Sequence, residues 1–283
     1  MRVLLTNDDG IDAPGLAVLA RAVARWVADA PVGESREALV VAPLANYSGM
    51  AAAVGDVFAQ PTVPYRRWRI PGAEALPAYG LDAPPAMCAL IGAIGGLGIV
   101  PDLVVAGINP GANVGRSILH SGTVGAVLTA AQLGLSGLAV SVQWSEQIHY
   151  DTAAAVAVEV IDELFRAPSR TVLNLNVPSR TAAELRGVRR GHVSLAGVIV
   201  EAGVRAGGVP LGESGELPLR LGPASPQLGD VSDESPDDDG ALLAAGYASL
   251  TPLRGPHEDD DPGLETTMAR ALDVISRHLL ERR

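Results

Sequence analysis

Two adjacent carboxylates, Asp8 and Asp9, follow a short apolar run, Val3-Leu4-Leu5, and stand between Asn7 and Gly10. A buried strand of that length would deliver both side chains to the carboxyl edge of a sheet, where open α/β proteins bind ligands. Neighbouring aspartates repel unless a proton or cation lies between them, and hard divalent ions such as Mg²⁺ and Mn²⁺ prefer such oxygens. Metal-assisted hydrolysis is the chemistry within reach. The same Asn-Asp-Asp-Gly string also fits a plain turn whose side chains only cap the backbone. Two further polar loops end apolar runs: Asn46-Tyr47-Ser48-Gly49 after 37–43, and the Gly-rich 107–115, with Asn109 and Asn113, after 102–106. Beyond them Ser121-Gly122-Thr123 opens a helical stretch and adds backbone N–H donors suited to an anion. A metal site beside an anion nest points to phosphate chemistry.

The elements that must position these residues are legible in the apolar spacing. Asp12 and Pro14 read as a helix start, with Leu16, Leu19, Val23 and Val27 on one face. Residues 51–80 alternate weakly and carry Pro61, Pro64 and Pro71, which predicts short strands or a hairpin. A helix over 84–98, a strand over 102–106, a helix from 121 to about 133 and a strand over 138–142 follow. Asp151 then caps a helix with Val156, Val160 and Leu164, and a strand covers 171–176. Strand and helix alternate from residue 1 to 178, the pattern of a Rossmann-like, doubly wound, mainly parallel α/β sheet in three layers. Residues 1–180 are read as this catalytic core. Residues 181–283 are read as a segment of the same domain that serves oligomerisation. It contains a protruding β-arm with candidate strands at 198–200 and 217–219, and an acidic loop over 230–239. A return strand over 246–252 and a solvated acidic run over 258–261 follow. A final helix carries Leu264, Met268, Leu272, Ile275 and Leu279 on one face.

Composition narrows the function classes. The 283 residues are 48% hydrophobic and only 4% aromatic, so the core is built from Ala, Val, Leu and Ile, as parallel strands between helices prefer. Cys88 is the only cysteine, which excludes an internal disulfide or a cysteine zinc cluster. All 21 basic residues are arginine, so a Walker-type phosphate loop and a lysine Schiff base are both excluded. A net charge of −11 argues against a nucleic-acid polymer as partner. No apolar run is long enough to span a membrane, and the N-terminus enters a strand without a signal-peptide pattern; a cytoplasmic protein is expected.

Six ordered motifs resemble the SurE family, the stationary-phase survival proteins that are metal-dependent 5′(3′)-nucleotidases. They are Leu5-Thr6-Asn7-Asp8-Asp9-Gly10-Ile11; Val41-Ala42-Pro43 with Asn46 and Ser48-Gly49; Gly107-Ile108-Asn109 with Gly111 and Asn113; His120-Ser121-Gly122-Thr123-Val124; Leu175-Asn176-Val177-Pro178; and Gly246-Tyr247 with Thr251-Pro252. The resemblance implies hydrolysis of nucleoside monophosphates to nucleoside and phosphate, with one Mg²⁺ or Mn²⁺ per subunit held by Asp8, Asp9, Ser48 and Asn109. It assigns catalysis to Asp8, Asp9 and Asn109. Gly49, Asn113, Ser121, Gly122 and Thr123 fall at the phosphate. It also implies a homodimer or homotetramer with a swapped C-terminal segment. Asp8 would orient an attacking water, with direct attack by Asp8 on phosphorus as the alternative. The chain departs from the family pattern at Ala106, where a serine is usual, and at Met87, where an aspartate is usual. Its arm lacks the basic, Tyr- and Trp-rich loop common in the family.

His120 adjoins the phosphate loop and fits either a proton donor to the leaving group or an orienting, structural histidine. His149, His192, His257 and His278 are scattered and read as surface residues. Trp144, after a strand end, is the better candidate for stacking on a base, whereas Trp26 lies on a predicted helix and Trp68 in the weakly alternating stretch. Asn174 and Asn176 alternate on one strand and could bond the loop backbones. Other readings are a broad acid phosphatase or exopolyphosphatase, and a nucleotide-binding or sensory protein without turnover. A haloacid-dehalogenase-type scheme typically needs a second Asp two residues on and a lysine, and this chain has no lysine.

Overall fold

The computed structural model describes residues 1–56, 59, 61–194, 198–202, 219–223, 235–256 and 268. Residues Met1–Leu253 form one compact unit and Arg254–Arg283 a second. In the first, β1 (Arg2–Thr6) is almost wholly buried, and its alternation splits the core: Val3 and Leu5 face one side of the sheet, Leu4 the other. Helix α1 (Pro14–Ala28) starts with Pro at its first turn, where a missing N–H costs nothing, and buries Leu16, Leu19, Val23 and Trp26. β2 (Glu37–Pro43) pairs parallel with β1.

The stretch expected to hold short strands forms an antiparallel hairpin of β3 (Tyr65–Trp68) and β4 (Ala78–Leu81), and β4 joins β2 in parallel. Helix α2 (Pro85–Ala93) is shorter than the predicted 84–98; glycines at 95, 96 and 98, two of them with positive φ, end the apolar run early. β5 (Leu103–Pro110) pairs with the other edge of β1. It is followed by a 3-10 turn, Gly115–His120, then α3 (Gly122–Gln132), β6 (Ser136–Val142), α4 (Tyr150–Leu164) and β7 (Val172–Val177). His149, not Asp151, stands at the N-cap of α4, and Asp151 lies in its first turn.

Beyond the core, β8 (Val188–Arg190) and α5 (Asp239–Ala244) were not expected from the sequence; α5 replaces the end of the predicted acidic loop. β9 (Val198–Ala202) and β10 (Leu219–Pro223) make a separate antiparallel pair within the predicted arm. β11 (Ala248–Leu253) returns to the sheet antiparallel to β7. The predicted helix with Leu264, Leu272, Ile275 and Leu279, and the acidic run 258–261, lie outside the described residues; of that helix Met268 alone is described.

The nine-stranded sheet runs β3-β4-β2-β1-β5-β6-β7-β11-β8 and is mainly parallel, with α1 and α4 against one face and α2 and α3 against the other. The chain leaves β1 toward β2 and β4 and then crosses back to β5, β6 and β7. That reversal beside β1 opens a crevice at the strands' carboxyl ends, the place where doubly wound sheets bind ligands. No helix among the described residues is long and apolar enough to cross a membrane.

Candidate active site

Asp8, Asp9, Asn46, Ser48, Gly49, Asn109, Asn113, Ser117, His120 and Ser121 line one cleft of about 440 Å³ at this reversal, with Pro110. Three strand ends thus meet there, those of β1, β2 and β5. The 107–115 stretch is not wholly a loop, as the sequence had suggested: β5 continues through Asn109 to Pro110, with its register against β6 shifted between Ala106 and Asn109. Gly107 makes that irregularity fit. Its φ is 141°, and a Cβ there would stand 2.3 Å from the Val140 carbonyl oxygen. The irregularity brings Asn109 to the cleft, and its Nδ2 donates to the Gly111 carbonyl at 2.7 Å. Its side-chain Oδ1 is the atom left for a ligand, since its backbone carbonyl accepts from the Gly111 N–H at 3.0 Å.

Asp8 is 3% exposed. The Thr123 hydroxyl donates to its Oδ1 at 2.6 Å, so Thr123 stands behind the carboxylate instead of lining the cleft. Gly122 is likewise behind it; a Cβ at that position would lie 2.7 Å from the Asp8 Cβ and 2.8 Å from Oδ2. Only glycine lets the first turn of α3 approach so closely. Ser121 caps that helix by accepting from the Val124 N–H at 3.1 Å, and its own hydroxyl proton remains available to the cleft. In the second loop the Asn46 Oδ1 accepts from the Ser48 N–H at 2.8 Å and fixes the turn, while the Tyr47 N–H ties it to the Asp8 carbonyl at 2.7 Å.

Burial raises the carboxyl of Asp8 above its ordinary range, opposed by the Thr123 hydroxyl and by backbone donors. Asp9 is pushed up to about 7, first by burial and then by the charge of Asp8, and the Ser48 side chain offsets part of this. Its Oδ2 is buried with no hydrogen-bond partner. Among the described residues lining the cleft no arginine balances the two carboxylates, which is costly unless a proton or a metal ion is shared. A roomier hollow, about 680 Å³, is lined by residues of the β3–β4 hairpin including Arg67, Trp68 and Arg69. It gathers no carboxylate pair and no convergence of strand ends.

Asn113 is set by the neighbouring strands. Its backbone N–H donates to Asn176 Oδ1 at 2.7 Å, its carbonyl accepts from Asn174 Nδ2 at 2.8 Å and Asn176 Nδ2 at 3.1 Å, and its own Nδ2 donates to Ser141 Oγ at 2.8 Å. The pair on β7 thus bonds the loop backbone, as its alternation suggested. One amide hydrogen of Asn113 is left over. Trp144 lies outside the cleft lining and is 67% exposed.

Asp239 was missed by sequence reasoning. It is fully buried, and its carboxylate accepts from the N–H groups of Gly115 (3.0 and 3.2 Å), Ser194 (3.2 Å) and Gly240 (2.9 Å). It anchors the start of the 3-10 turn that carries Ser117 and His120. Nothing local separates it from its neighbours in Asp237-Asp238-Asp239-Gly240; only the tertiary position selects one carboxylate of the run. Met87 sits in an apolar cluster with Leu81 and Cys88, so the usual aspartate's place is filled by packing and the first turn of α2 carries no acid. Ala106 is fully buried opposite Thr6.

Residues 3–197 match the family model described as survival protein SurE. The chain belongs to the SurE family. Among its curated SurE relatives, the protein of Cronobacter sakazakii named 5′/3′-nucleotidase SurE is 34% identical over 285 residues, which cover 99% of this chain and 96% of that protein. The like-named protein of Serratia proteamaculans is 35% identical with the same coverage. The crystal structure of the SurE protein from Aquifex aeolicus superposes with a TM-score of 0.70 at 25% identity, covering 96% of this chain and 99% of that one. The α/β sheet described above is the SurE fold.

Proposed function

We propose that this chain is a metal-dependent phosphomonoesterase that hydrolyses nucleoside 5′-monophosphates, and 3′-monophosphates by the same chemistry, to nucleoside and phosphate. The observation that carries the reading is the buried, unpartnered Oδ2 of Asp9 beside the buried carboxylate of Asp8. No arginine among the described residues lines the cleft to balance this pair, and the neutral oxygens of Ser48 and Asn109 there complete a hard-ion donor set. Among the described residues no three His, Cys, Asp or Glu side chains converge on a metal-holding group, so the neutral oxygens are needed. Asp8, Asp9, Ser48 and Asn109 would hold one Mg²⁺ or Mn²⁺ per subunit. When bound, the ion supplies Lewis acidity at the phosphoryl group.

The remaining steps belong to the chain. Gly49, the free amide hydrogen of Asn113 and the Ser121 hydroxyl would receive the phosphate oxygens, while the N–H groups of Gly122 and Thr123, the first of α3, turn to the Asp8 carboxylate and hold it charged. Asp8, clamped by Thr123, orients the attacking water and accepts its proton. Relatives named 5′/3′-nucleotidase SurE at about 34% identity support the same reaction. A cytoplasmic setting is part of the same proposal. So is a homodimer or homotetramer that exchanges part of residues 181–283, which serve as the assembly segment beside a catalytic core of 1–180. The test is phosphate release from a panel of nucleoside 5′- and 3′-monophosphates with Mn²⁺ or Mg²⁺, then with EDTA. Release that EDTA abolishes supports the reading; no release with any divalent ion, with nucleotide binding retained, overturns it. Asp8→Asn and Asp9→Asn should each abolish release while the protein stays folded.

A further inference from the structure

We propose that His120 is the general acid that protonates the leaving nucleoside oxygen, an inference that rests on the phosphomonoesterase reading. The two roles open to this residue, proton donor or structural support, make different demands on its surroundings. A structural histidine is buried or hydrogen-bonded through its ring. The His120 ring is exposed and makes no hydrogen bond or ion pair among the described residues, while lining the cleft. Its main chain, by contrast, is held. The His120 carbonyl accepts from the Ala51 N–H at 3.3 Å, and the next residue, Ser121, caps α3 and bonds back to the Ile118 carbonyl at 3.2 Å. The ring is therefore placed but unoccupied by other work.

Its place in the cleft suits the chemistry. Displacement at phosphorus puts the attacking and leaving oxygens roughly in line. Asp8, 3% exposed, lies at the floor, and His120 lies at the solvent-facing rim, through which a nucleoside must depart. The other cleft residues besides the carboxylate pair are Asn46, Ser48, Gly49, Asn109, Pro110, Asn113, Ser117 and Ser121, none of which serves as a proton donor near neutrality. Histidine is the side chain that most readily gives up and regains a proton there. As the water oxygen bonds to phosphorus, the bond from phosphorus to the ribose oxygen breaks and its electron pair stays on that oxygen. The ring proton of His120 goes to it, the proton of the water leaves on the Asp8 side, and solvent reprotonates His120.

The discriminating experiment compares two leaving groups. A ribose alkoxide needs a proton as it departs; p-nitrophenolate does not. Wild type, His120→Ala and His120→Asn are assayed with a nucleoside 5′-monophosphate and with p-nitrophenyl phosphate under one divalent-ion condition. General acid catalysis is typically worth about 10²- to 10⁴-fold. The expected result is a loss of about that size in kcat for the nucleotide in both variants, with p-nitrophenyl phosphate turnover within about threefold of wild type, and partial rescue of His120→Ala by added imidazole. Equal losses on both substrates, or nucleotide turnover within threefold of wild type, overturn the assignment. Wild-type protein that hydrolyses neither substrate overturns the underlying function instead, and the assignment with it.

Discussion

Thr123→Val tests the clamp on Asp8. Valine keeps the shape of threonine, so the fully buried position stays filled, and what is removed is one hydroxyl that donates at 2.6 Å to a carboxylate 3% exposed. A hydrogen bond to a charged group is worth about 1.5–3 kcal/mol, and at 1.36 kcal/mol per pH unit this corresponds to about 1–2 units in the Asp8 titration. The direction is fixed by the causes acting on Asp8. Burial already raises it and the Thr123 hydroxyl lowers it, so the variant's Asp8 is raised further. In the proposed mechanism Asp8 works as the carboxylate, which is lost as pH falls. The acid limb of kcat/KM against pH should therefore move upward by about 1–2 units in Thr123→Val, with activity recovering toward wild type at alkaline pH. In urea at neutral pH the variant should lose about 1.5–3 kcal/mol, since the charged Asp8 keeps its burial and loses a donor. An unshifted acid limb with stability within a few tenths of a kcal/mol would show that the hydroxyl does not hold the carboxylate.

Three other perturbations follow from the same atoms. Asp9 titrates at about 7 in the folded protein against an ordinary 3.8, so without metal the folded state holds more protons than the unfolded state between those values. Stability of EDTA-treated protein should fall as pH rises through that window, by about 2 kcal/mol once solvent screening of a partly exposed carboxylate is allowed for, and level off above it. Asp9→Asn should remove its share of the slope, leaving what the likewise raised Asp8 and Asp239 contribute; urea midpoints at pH 5 and 7.5 that differ as much in the variant as in wild type would contradict it. Asp239→Ala strips the acceptor from three backbone donors and should cost about 3–5 kcal/mol, read as a lower urea midpoint; a cost under 1 kcal/mol would mean the 3-10 turn is held elsewhere. Ala106→Ser places a hydroxyl opposite the buried, unpartnered Thr6 Oγ1 and should stabilise by about 1 kcal/mol; a drop in thermal midpoint would show that the position is already packed too tightly.

What the sequence made legible depended on how local the controlling forces are. β2 could be read to the residue because Ala38 to Ala42 are apolar without a break between Glu37 and Pro43, which admits one burial pattern. The two-Asn alternation on β7 was readable for the same reason, since period two puts Asn174 and Asn176 on one face. The end of β5 was not, because Gly and Pro normally stop a strand and here the sheet neighbour β6 carries the ladder past an irregularity. Thr123 shows the limit in the site itself. Motif order put it beside the phosphate, but which way its hydroxyl turns is decided by Asp8, 115 residues earlier. Asp239 was invisible for a like reason, as its partner Gly115 lies 124 residues away and its own neighbourhood is a run of equivalent acids.

The unsatisfied polarity of the described residues is not spread evenly. Thr6 Oγ1, Asn7 Oδ1 and Asp9 Oδ2 are all buried without partners and all lie at the carboxyl end of β1. That is an interior strand of the sheet, paired on both sides and with no exposed residue in it, where local opening is costly. Each orphan has its own reason. Thr6 faces Ala106 where the family pattern puts a serine, Asn7 spends its amide on the Gly10 carbonyl at 2.8 Å, and Asp9 faces the cleft. Only the last can be satisfied by a bound cation, so metal binding should stabilise this protein through Asp9 and leave the Thr6 defect untouched. The gain from Ala106→Ser and the gain from saturating divalent ion should accordingly add, because they act on different atoms of the same strand end.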